Sequence, residues 1–308
     1  MNELWSALQD YLRVRRALGY KLNDAERLLG QFVSYCEQSS ISTVTIEAAV
    51  AWASLPAGAD PSWWAQRLSM VRCFATWLQT LDPATEVPPT DILTGRPRRA
   101  VPYLYSDAEV VALMAAAQGL RSPLQRCTYD TLVGLLAVTG LRVGEAIRLN
   151  RADVCFDLAL VQILGSKFNK SREVPLHAST VNALSRYAQH RDRLCPEPDS
   201  EAFFLSTTGT RLCPSRVRTT FRQLVRDAGL TPRSPRCRPR IHDLRHTLAV
   251  NTLLGFYRDG LDVQARLPLL STWLGHVKPE STYWYLTAVP ELLGLASQRL
   301  EDTFEVDQ

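Results

Sequence analysis

Proline is concentrated between Asp82 and Pro102, and this stretch constrains the fold more than any other feature of the chain. Five of its residues are proline, and three arginines lie among them. Proline fixes φ and has no amide hydrogen to donate, so it does not continue a helix. We therefore predict a first domain over 1–90, a basic proline-rich linker over 91–105 and a second domain over 106–308.

The first ninety residues show helical periodicity. Leu4, Leu8 and Leu12 recur four residues apart, and three further apolar runs follow, separated by polar turns. Apolar residues at this spacing form one face of an amphipathic helix. Four such segments predict a small four-helix bundle.

The second domain is also predicted to be helical, with one β-rich interruption. Ser106 is a candidate helix N-cap because Glu109 follows three residues later. Gly140 is a candidate C-cap that ends a buried helix. The runs FDLALVQIL and SREVPLH flank GSKFNKS, which predicts a hairpin with a polar tip. The expected fold class is mainly α with a small β-sheet (α+β).

Composition excludes several classes of protein. A chain of 308 residues with 46% hydrophobic and 21% charged residues is typical of a globular protein with a sizeable core. The longest apolar stretch, 132–141, is too short to span a bilayer, and the N-terminus lacks the pattern of a signal peptide. The seven cysteines are scattered and form no CxxC pair. We expect free thiols in a reducing compartment, and no structural zinc.

Charge is distributed unevenly along the chain. Residues 1–95 carry seven Lys and Arg against ten Asp and Glu, whereas the remainder carries 28 against 21. Ten arginines lie within 211–245, against two acidic residues. A solvated arginine-rich loop could show this composition, but arginine forms bidentate contacts with phosphate, so we favour a surface that follows nucleic acid.

Six scattered residues combine side chains suited to reaction at a phosphate. They are Arg142, Lys167, His242, Arg245, His276 and Tyr285. Two guanidiniums can neutralise the charge that develops on the non-bridging oxygens. Lys167, in the polar tip of the hairpin, can protonate the leaving 5′ oxygen, and the tyrosine hydroxyl can act as nucleophile. His242 and His276 can donate to phosphate oxygens or handle the tyrosine proton. Each residue alone has an ordinary structural explanation; the set does not.

The set resembles the tyrosine recombinase, or phage integrase, family. That family's pattern is an Arg in a TGLR turn, a Lys in a hairpin tip, HxxR, a His in LGH and a Tyr nine residues later. Here the matching elements are TGLR ending at Arg142, GSKFNKSREVPL, HDLR over 242–245, LGH ending at His276, and Tyr285. The resemblance covers Ser106 to about Leu293. It implies a SAM-like core-binding domain at the N-terminus and a catalytic domain at the C-terminus.

Two positions have a rival nearby. Lys170 lies three residues after Lys167 in the hairpin, and alignment on VPL matches Lys167 to the family's catalytic lysine. Tyr283 lies two residues before Tyr285, and the spacing from His276 favours Tyr285. The family also places an acidic residue at Glu145, where it orients its neighbours. Candidate DNA contacts are Lys170, Arg172, Arg96, Arg98 and Arg99.

The resemblance implies a site-specific DNA recombinase, integrase or transposase. Tyr285 would attack a phosphodiester, form a 3′-phosphotyrosyl link and release a 5′ hydroxyl, which then attacks a link on another strand. This chemistry needs no ATP, metal or cofactor. The expected partners are double-stranded DNA with a specific site and three further copies, with the C-terminal segment docking on a neighbour. The expected location is the nucleoid of a bacterial cytoplasm.

Two alternatives stay open, as do the roles within the family. A type IB topoisomerase-like enzyme would nick and reseal one strand as a monomer, and an architectural DNA-binding protein would not cleave at all. Phage integration, chromosome-dimer resolution and transposition share one chemistry. Thirty residues separate Arg245 from His276, more than is common in the family. We favour a lengthened surface loop there over a reshaped subunit contact.

Overall fold

The chain divides within its proline-rich stretch into two units, Met1–Arg99 and Ala100–Gln308. The computed structural model describes residues 3–95, 101–165 and 171–276, together with Thr282, Tyr283, Tyr285, Leu293 and Gly294. Within these residues the protein is mainly helical with one small sheet, as predicted from the sequence. None of the helices described is long and apolar enough to cross a membrane. The seven cysteines are free thiols.

Over residues 3–95, the part of the first unit that the structure describes, four helices enclose their own core. They are α1 (Glu3–Ala17), α2 (Asn23–Gln38), α3 (Ile46–Ser54) and α4 (Pro61–Leu78). The leucines at four-residue spacing in α1 are buried, and Phe32, Trp52 and Phe74 contribute large aromatic side chains to the same core. Thr45 caps α3 by accepting from the Ala48 amide. Such capping fixes where the helix begins.

The second unit surrounds a three-stranded antiparallel sheet with helices. Its elements are α5 (Asp107–Ala117), α6 (Pro123–Thr139), α7 (Val143–Arg148), a 3₁₀ turn (Arg151–Asp153), β1 (Val154–Cys155), β2 (Leu160–Ile163), β3 (Arg172–Pro175), α8 (Ala178–Leu194), α9 (Pro214–Asp227), α10 (Asp243–Arg258) and α11 (Val263–Leu274). Strand β2 lies between β1 and β3, and Ile163 pairs with Arg172. The predicted hairpin is therefore present.

The predicted helix ends of the second unit are also confirmed. Ser106 and Glu109 form a reciprocal capping box at the start of α5. Gly140 adopts the left-handed conformation that ends α6. The TGLR turn that follows leads directly into α7, so Arg142 is held at the N-cap of that helix.

The prediction of a lengthened surface loop between Arg245 and His276 is wrong. Helix α10 continues to Arg258 and α11 begins at Val263, so only four residues connect them. Val250, Leu253, Leu267 and Leu270 are buried together in a separate apolar cluster. Burial of these apolar residues stabilises the two helices, although Pro268 lies within α11.

Candidate active site

The C-terminal end of α11 is surrounded by three arginines. Arg172 donates its Nε to the Trp273 carbonyl at 3.0 Å, and Arg142 donates its Nη2 to the Gly275 carbonyl at 2.9 Å. Arg245 donates to the carbonyl between them, that of Leu274. The last carbonyls of a helix lack intrahelical donors and form its negative end. Three consecutive carbonyls thereby hold three guanidiniums close together.

A buried carboxylate ties two of these arginines to each other. Glu145 accepts from Arg142 Nη1 at 2.8 Å and from Arg172 Nη2 at 2.9 Å, and its side chain is only 2% exposed. Burial acts to raise the pKa of Glu145, but the hydrogen bonds and charges of Arg172 and Arg142 outweigh it and lower that pKa to about 2. Glu145 is therefore ionised in the folded protein, as the family's orienting acidic residue would be.

Two glycines allow the backbone to approach this closely. Gly275 has φ +64°, and a Cβ there would lie 2.6 Å from Nη1 of Arg172. Gly140 has φ +63°, and its carbonyl accepts from Nη1 of Arg245 at 2.7 Å. Only glycine adopts positive φ without strain. These turns fix the carbonyls that orient Arg245 and Arg142.

Tyr285 lies against the histidines of the site. Its hydroxyl is 3.0 Å from Nδ1 of His246, and its ring lies nearly parallel to that of His276 at a centroid distance of 6.2 Å. His246 in turn meets the ring of His242 edge to face, with centroids 4.8 Å apart. Tyr285 is only 2% exposed, whereas Tyr283 is 49% exposed. Of the two rival tyrosines, the buried one adjoins the histidines.

The surroundings hold all three histidines neutral. Loss of hydration, followed by the positive charges of Arg245 and Arg142, lowers the pKa of His242 to about 4 and that of His276 to about 4. Loss of hydration and the neighbouring His242 lower the pKa of His246 to about 3. Burial raises the pKa of Tyr285, against the opposing effect of Arg245. The arginines concentrate positive charge in the site, and a bound anion would offset the repulsion between them.

Arg245 and Arg142 differ in how far they can reach a ligand. Arg245 is 2% exposed, and burial followed by the charge of Arg142 lowers its pKa to about 10. The side chain of Arg142 is 29% exposed. Two guanidiniums held close together in this way form a site for a doubly coordinated oxyanion.

The sequence-predicted residues are distributed unevenly over the structure. Arg142, His242, Arg245, His276 and Tyr285 come together around the end of α11, with Glu145 beneath them. Lys167, Lys170, Arg96, Arg98 and Arg99 lie outside the described residues. Arg172, predicted as a DNA contact, lies in the Glu145 cluster with its side chain 10% exposed.

Sequence reasoning missed His246. It lies four residues after His242, the spacing that places two side chains on one face of a helix. That spacing was visible in HDLRH, but the motif HxxR drew attention to the first histidine alone.

A second group of arginines lies on α9. Arg218, Arg222 and Arg226 recur every fourth residue and are exposed, while Val217, Phe221 and Leu224 of the same helix are buried. Residues four apart share a helix face. They form an exposed basic stripe, which we call the α9 stripe.

Comparison with known proteins identifies the family. Residues 104–291 match the model of the phage integrase family. The chain belongs to the phage integrase family. This confirms the resemblance drawn from the six scattered residues, and it makes the chain a tyrosine-type DNA recombinase. The matched range contains all six of them.

Relatives of this family member include proteins of the same length. The y4rB protein of Sinorhizobium fredii (strain NBRC 101917 / NGR234), which is named as an integrase/recombinase, is 44% identical over 99% of both chains. The tyrosine recombinase XerC of Chlamydia trachomatis serovar L2 is 33% identical over 71% of this chain and 65% of its own.

Solved structures share the fold of this integrase-family chain. XerH recombinase in a post-cleavage complex with its palindromic difH substrate has a TM-score of 0.64 at 18% identity, over 91% of this chain and 80% of that one. The Tn1549 transposon integrase with a circular intermediate DNA has a TM-score of 0.65 at 16% identity, over 95% and 99%.

Proposed function

We propose that the protein cleaves and rejoins DNA at a specific site through a covalent link to Tyr285. The observation that carries this proposal is the clustering of a buried tyrosine hydroxyl with Arg142, Arg245 and neutral histidines around one helix end. Oη passes its proton to a neutral histidine of the site as it attacks the phosphorus, the bond to the 5′ oxygen breaks, and a 3′-phosphotyrosyl link forms. The freed 5′ hydroxyl of one strand then attacks the link on another, which releases the tyrosine.

Each charged group has a part in this reaction. Arg142 and Arg245 donate to the non-bridging oxygens, whose negative charge grows in the transition state. His242 and His276 add neutral donors there, since neither carries a proton on both ring nitrogens at neutral pH. Lys167 protonates the leaving 5′ oxygen. No ATP, metal or other cofactor enters these steps.

We assign Arg172 a positioning role in place of the DNA contact predicted from the sequence. Its Nε and both terminal nitrogens donate to Trp273 and Glu145. A guanidinium committed in this way fixes its partners and has little left to offer a phosphate. Glu145, held by Arg172, then orients Arg142.

The proposed partner is double-stranded DNA carrying a recombination site. Residues 1–90 act as the core-binding domain, the basic linker 91–105 with Lys170 adds backbone contacts, and 106–308 catalyse. The α9 stripe supports this assignment, because exposed arginines attract the phosphate backbone without reading its sequence. An enzyme that acts on such DNA works on the bacterial nucleoid.

We propose a tetramer on two DNA sites, with the C-terminal segment of one copy docking on the next. A groove of about 290 Å³ in the second unit supports this assembly, since apolar side chains line it, Leu269 and Trp273 among them. Leu269 is 66% exposed in the single chain. Sedimentation of the DNA complex, with and without residues 295–308, measures whether the segment holds copies together.

Covalent capture tests the chemistry and selects the DNA site in one experiment. Wild type is incubated with nicked duplexes that carry a randomised segment, and DNA attached to protein under denaturing conditions is recovered and sequenced. We expect an enriched sequence, adduct from Tyr283→Phe, none from Tyr285→Phe, and adduct in the presence of EDTA. Absence of adduct from wild type, or a strict need for metal, contradicts the proposed function. Adduct from Tyr285→Phe but not Tyr283→Phe assigns the other tyrosine.

A further inference from the structure

His246 contacts the proposed nucleophile directly. Its Nδ1 lies 3.0 Å from the hydroxyl oxygen of Tyr285, and the two rings meet at 61° with centroids 5.4 Å apart. The distance is that of a good hydrogen bond. His246 is in addition the residue next to Arg245, so the same helical turn carries a phosphate ligand and a group that holds the attacking oxygen.

The fold restrains the ring of His246 on more than one side. His242, one turn earlier on the same face, packs edge to face against it. Tyr285, on the other side, is almost completely buried. A histidine confined in this way can adopt few ring orientations, so its Nδ1 stays directed at the Tyr285 hydroxyl.

The number of available protons indicates whether Tyr285 or His246 accepts the hydrogen bond between them. Arg245 lies near the Tyr285 hydroxyl and acts on its pKa through both charge and a hydrogen bond. A guanidinium has donors only, so it occupies a lone pair of the oxygen and leaves the hydroxyl proton to another group. His246 Nδ1 is placed to accept that proton in a hydrogen bond. The ring then carries its own proton on Nε2.

We propose that His246 is a positioning residue for the nucleophile, whose Nδ1 accepts the hydrogen bond of the Tyr285 hydroxyl and so aims a lone pair of Oη toward the phosphate between Arg142 and Arg245. The inference rests on the proposed function, because it assigns a task within that reaction. It adds a residue to the machinery without altering which bonds form and break.

Positioning, and not removal of the proton, is the task that the energetics allow in the free protein. The pKa of His246 is lowered to about 3, and that of Tyr285 is raised above 10.0. Both shifts oppose transfer of the proton from the tyrosine to the histidine. The proton therefore stays on Oη until DNA binds, and the hydrogen bond sets its direction.

Three substitutions separate the hydrogen bond from the bulk of the ring. In His246→Asn the amide oxygen occupies the place of Nδ1, whereas in His246→Gln the amide reaches the place of Nε2, and His246→Leu has no acceptor. We expect His246→Asn to form adduct on the enriched nicked duplex at nearly the wild-type rate. We expect the other two to be slower by about 10- to 100-fold, the effect of a misplaced reacting group. DNA affinity should not change.

A substrate with sulfur in place of the leaving 5′ oxygen locates the defect. Sulfur departs without protonation, so it restores variants that lack the general acid. The deficit of His246→Gln should persist on this substrate, because the nucleophile is at fault. His190→Asn and His190→Leu, on the exposed face of α8, serve as matched controls and should cleave as wild type does.

A spectroscopic measurement reads the protonation of His246 without substituting that residue. In ¹⁵N spectra of histidine-labelled protein, Nδ1 of His246 should be the unprotonated nitrogen, and Tyr285→Phe should shift its resonance. A proton on Nδ1 overturns the proposal. So do equal rates for all three His246 variants, an equal loss in all three, or rescue of His246→Gln by sulfur. If wild type itself forms no adduct, the proposed function fails and this role fails with it; normal wild-type cleavage beside any overturning result removes this role alone.

Discussion

Two groups of arginines in the second unit use one residue type in opposite ways. Arg142, Arg172 and Arg245 donate to backbone carbonyls at the end of α11, and two of them to Glu145 as well. The arginines of the α9 stripe are exposed at four-residue intervals. The first group is fixed by the protein before any DNA arrives, and the second is free to adjust to it.

The two groups therefore contribute differently: the first fixes the geometry of the site, and the second attracts DNA through its charge. An arginine held by several hydrogen bonds contributes through the fixed, planar arrangement of its guanidinium donors. Lysine keeps the charge but lacks that arrangement, so it is a poor replacement. An exposed arginine contributes mainly its charge, which acts over a distance set by the salt concentration. Substitutions that keep the charge should therefore harm the first group and spare the second.

The largest effect is expected from Arg245→Lys. Lysine keeps the charge but cannot donate to both the Gly140 and Leu274 carbonyls while reaching a phosphate oxygen. We expect adduct formation at saturating DNA to slow by about 10³-fold, as when a transition-state donor is lost. Arg222→Lys, the same change in the α9 stripe, should leave the rate within about 2-fold of wild type. Similar losses in both variants would remove the distinction between the two groups.

Glu145→Gln should destabilise the fold in a pH-dependent way. The folded pKa of Glu145, about 2, lies below its ordinary value of 4.5. Its ionised form therefore contributes stability above pH 4.5, and this contribution is lost as pH falls toward 2. The shift corresponds to about 3 kcal/mol at neutral pH.

Urea denaturation of wild type and Glu145→Gln at pH 7 and pH 3 measures this contribution. The difference in free energy of unfolding should be about 3 kcal/mol at pH 7 and about half of that at pH 3. Glu173→Gln, an exposed change on β3, is the control. A difference that does not depend on pH would show that the carboxylate is not held by its arginines.

A smaller effect is expected from Gly275→Ala. Its Cβ would meet the Arg172 guanidinium at 2.6 Å and would also impose strain at φ +64°. Gly229→Ala isolates the strain, because Gly229 has φ +69° and nothing within 4 Å of its added Cβ. We expect Gly229→Ala to cost about 1–2 kcal/mol and Gly275→Ala about 1 kcal/mol more. Equal thermal unfolding shifts would indicate that Arg172 moves aside freely.

The smallest effect is expected from Arg222→Gln in the α9 stripe. Loss of one phosphate contact should reduce the slope of log affinity against log salt by about one. The rate of cleavage at saturating DNA should not change, because the stripe does not touch the reacting atoms. Arg193→Gln, on α8, provides a comparison at an exposed position of the same unit. An unchanged slope would place α9 away from the DNA.

Much of this fold could be predicted where a single residue type satisfies a local requirement. Gly140 ends α6, Ser106 begins α5, and the β-rich runs pair as a hairpin, because caps and turns depend on neighbours in sequence. Helix α11 was not predicted as one continuous element, because its stability depends on burial against α10 and not on its local sequence alone. Pro268 lies within α11, where local propensity alone disfavours a helix.

The candidate site divides in the same manner. Arg142, Arg245 and His276 lie in family motifs, so their positions could be found by matching a pattern. The roles of Arg172 and His246 could not, because each depends on partners far away in sequence: Glu145 and Trp273 for one, Tyr285 for the other. A pattern gives residue types and spacing, and the partner of each donor appears only in three dimensions.

The burial of Tyr285 has a consequence for the chemical behaviour of the idle protein. Reagents that nitrate or iodinate phenols attack accessible rings, so they should modify Tyr283, which is half exposed, well before Tyr285. In the absence of DNA, the side chains around Tyr285 therefore protect its hydroxyl oxygen from electrophilic reagents. Modification of Tyr285 in the presence of DNA would show that DNA binding exposes the nucleophile.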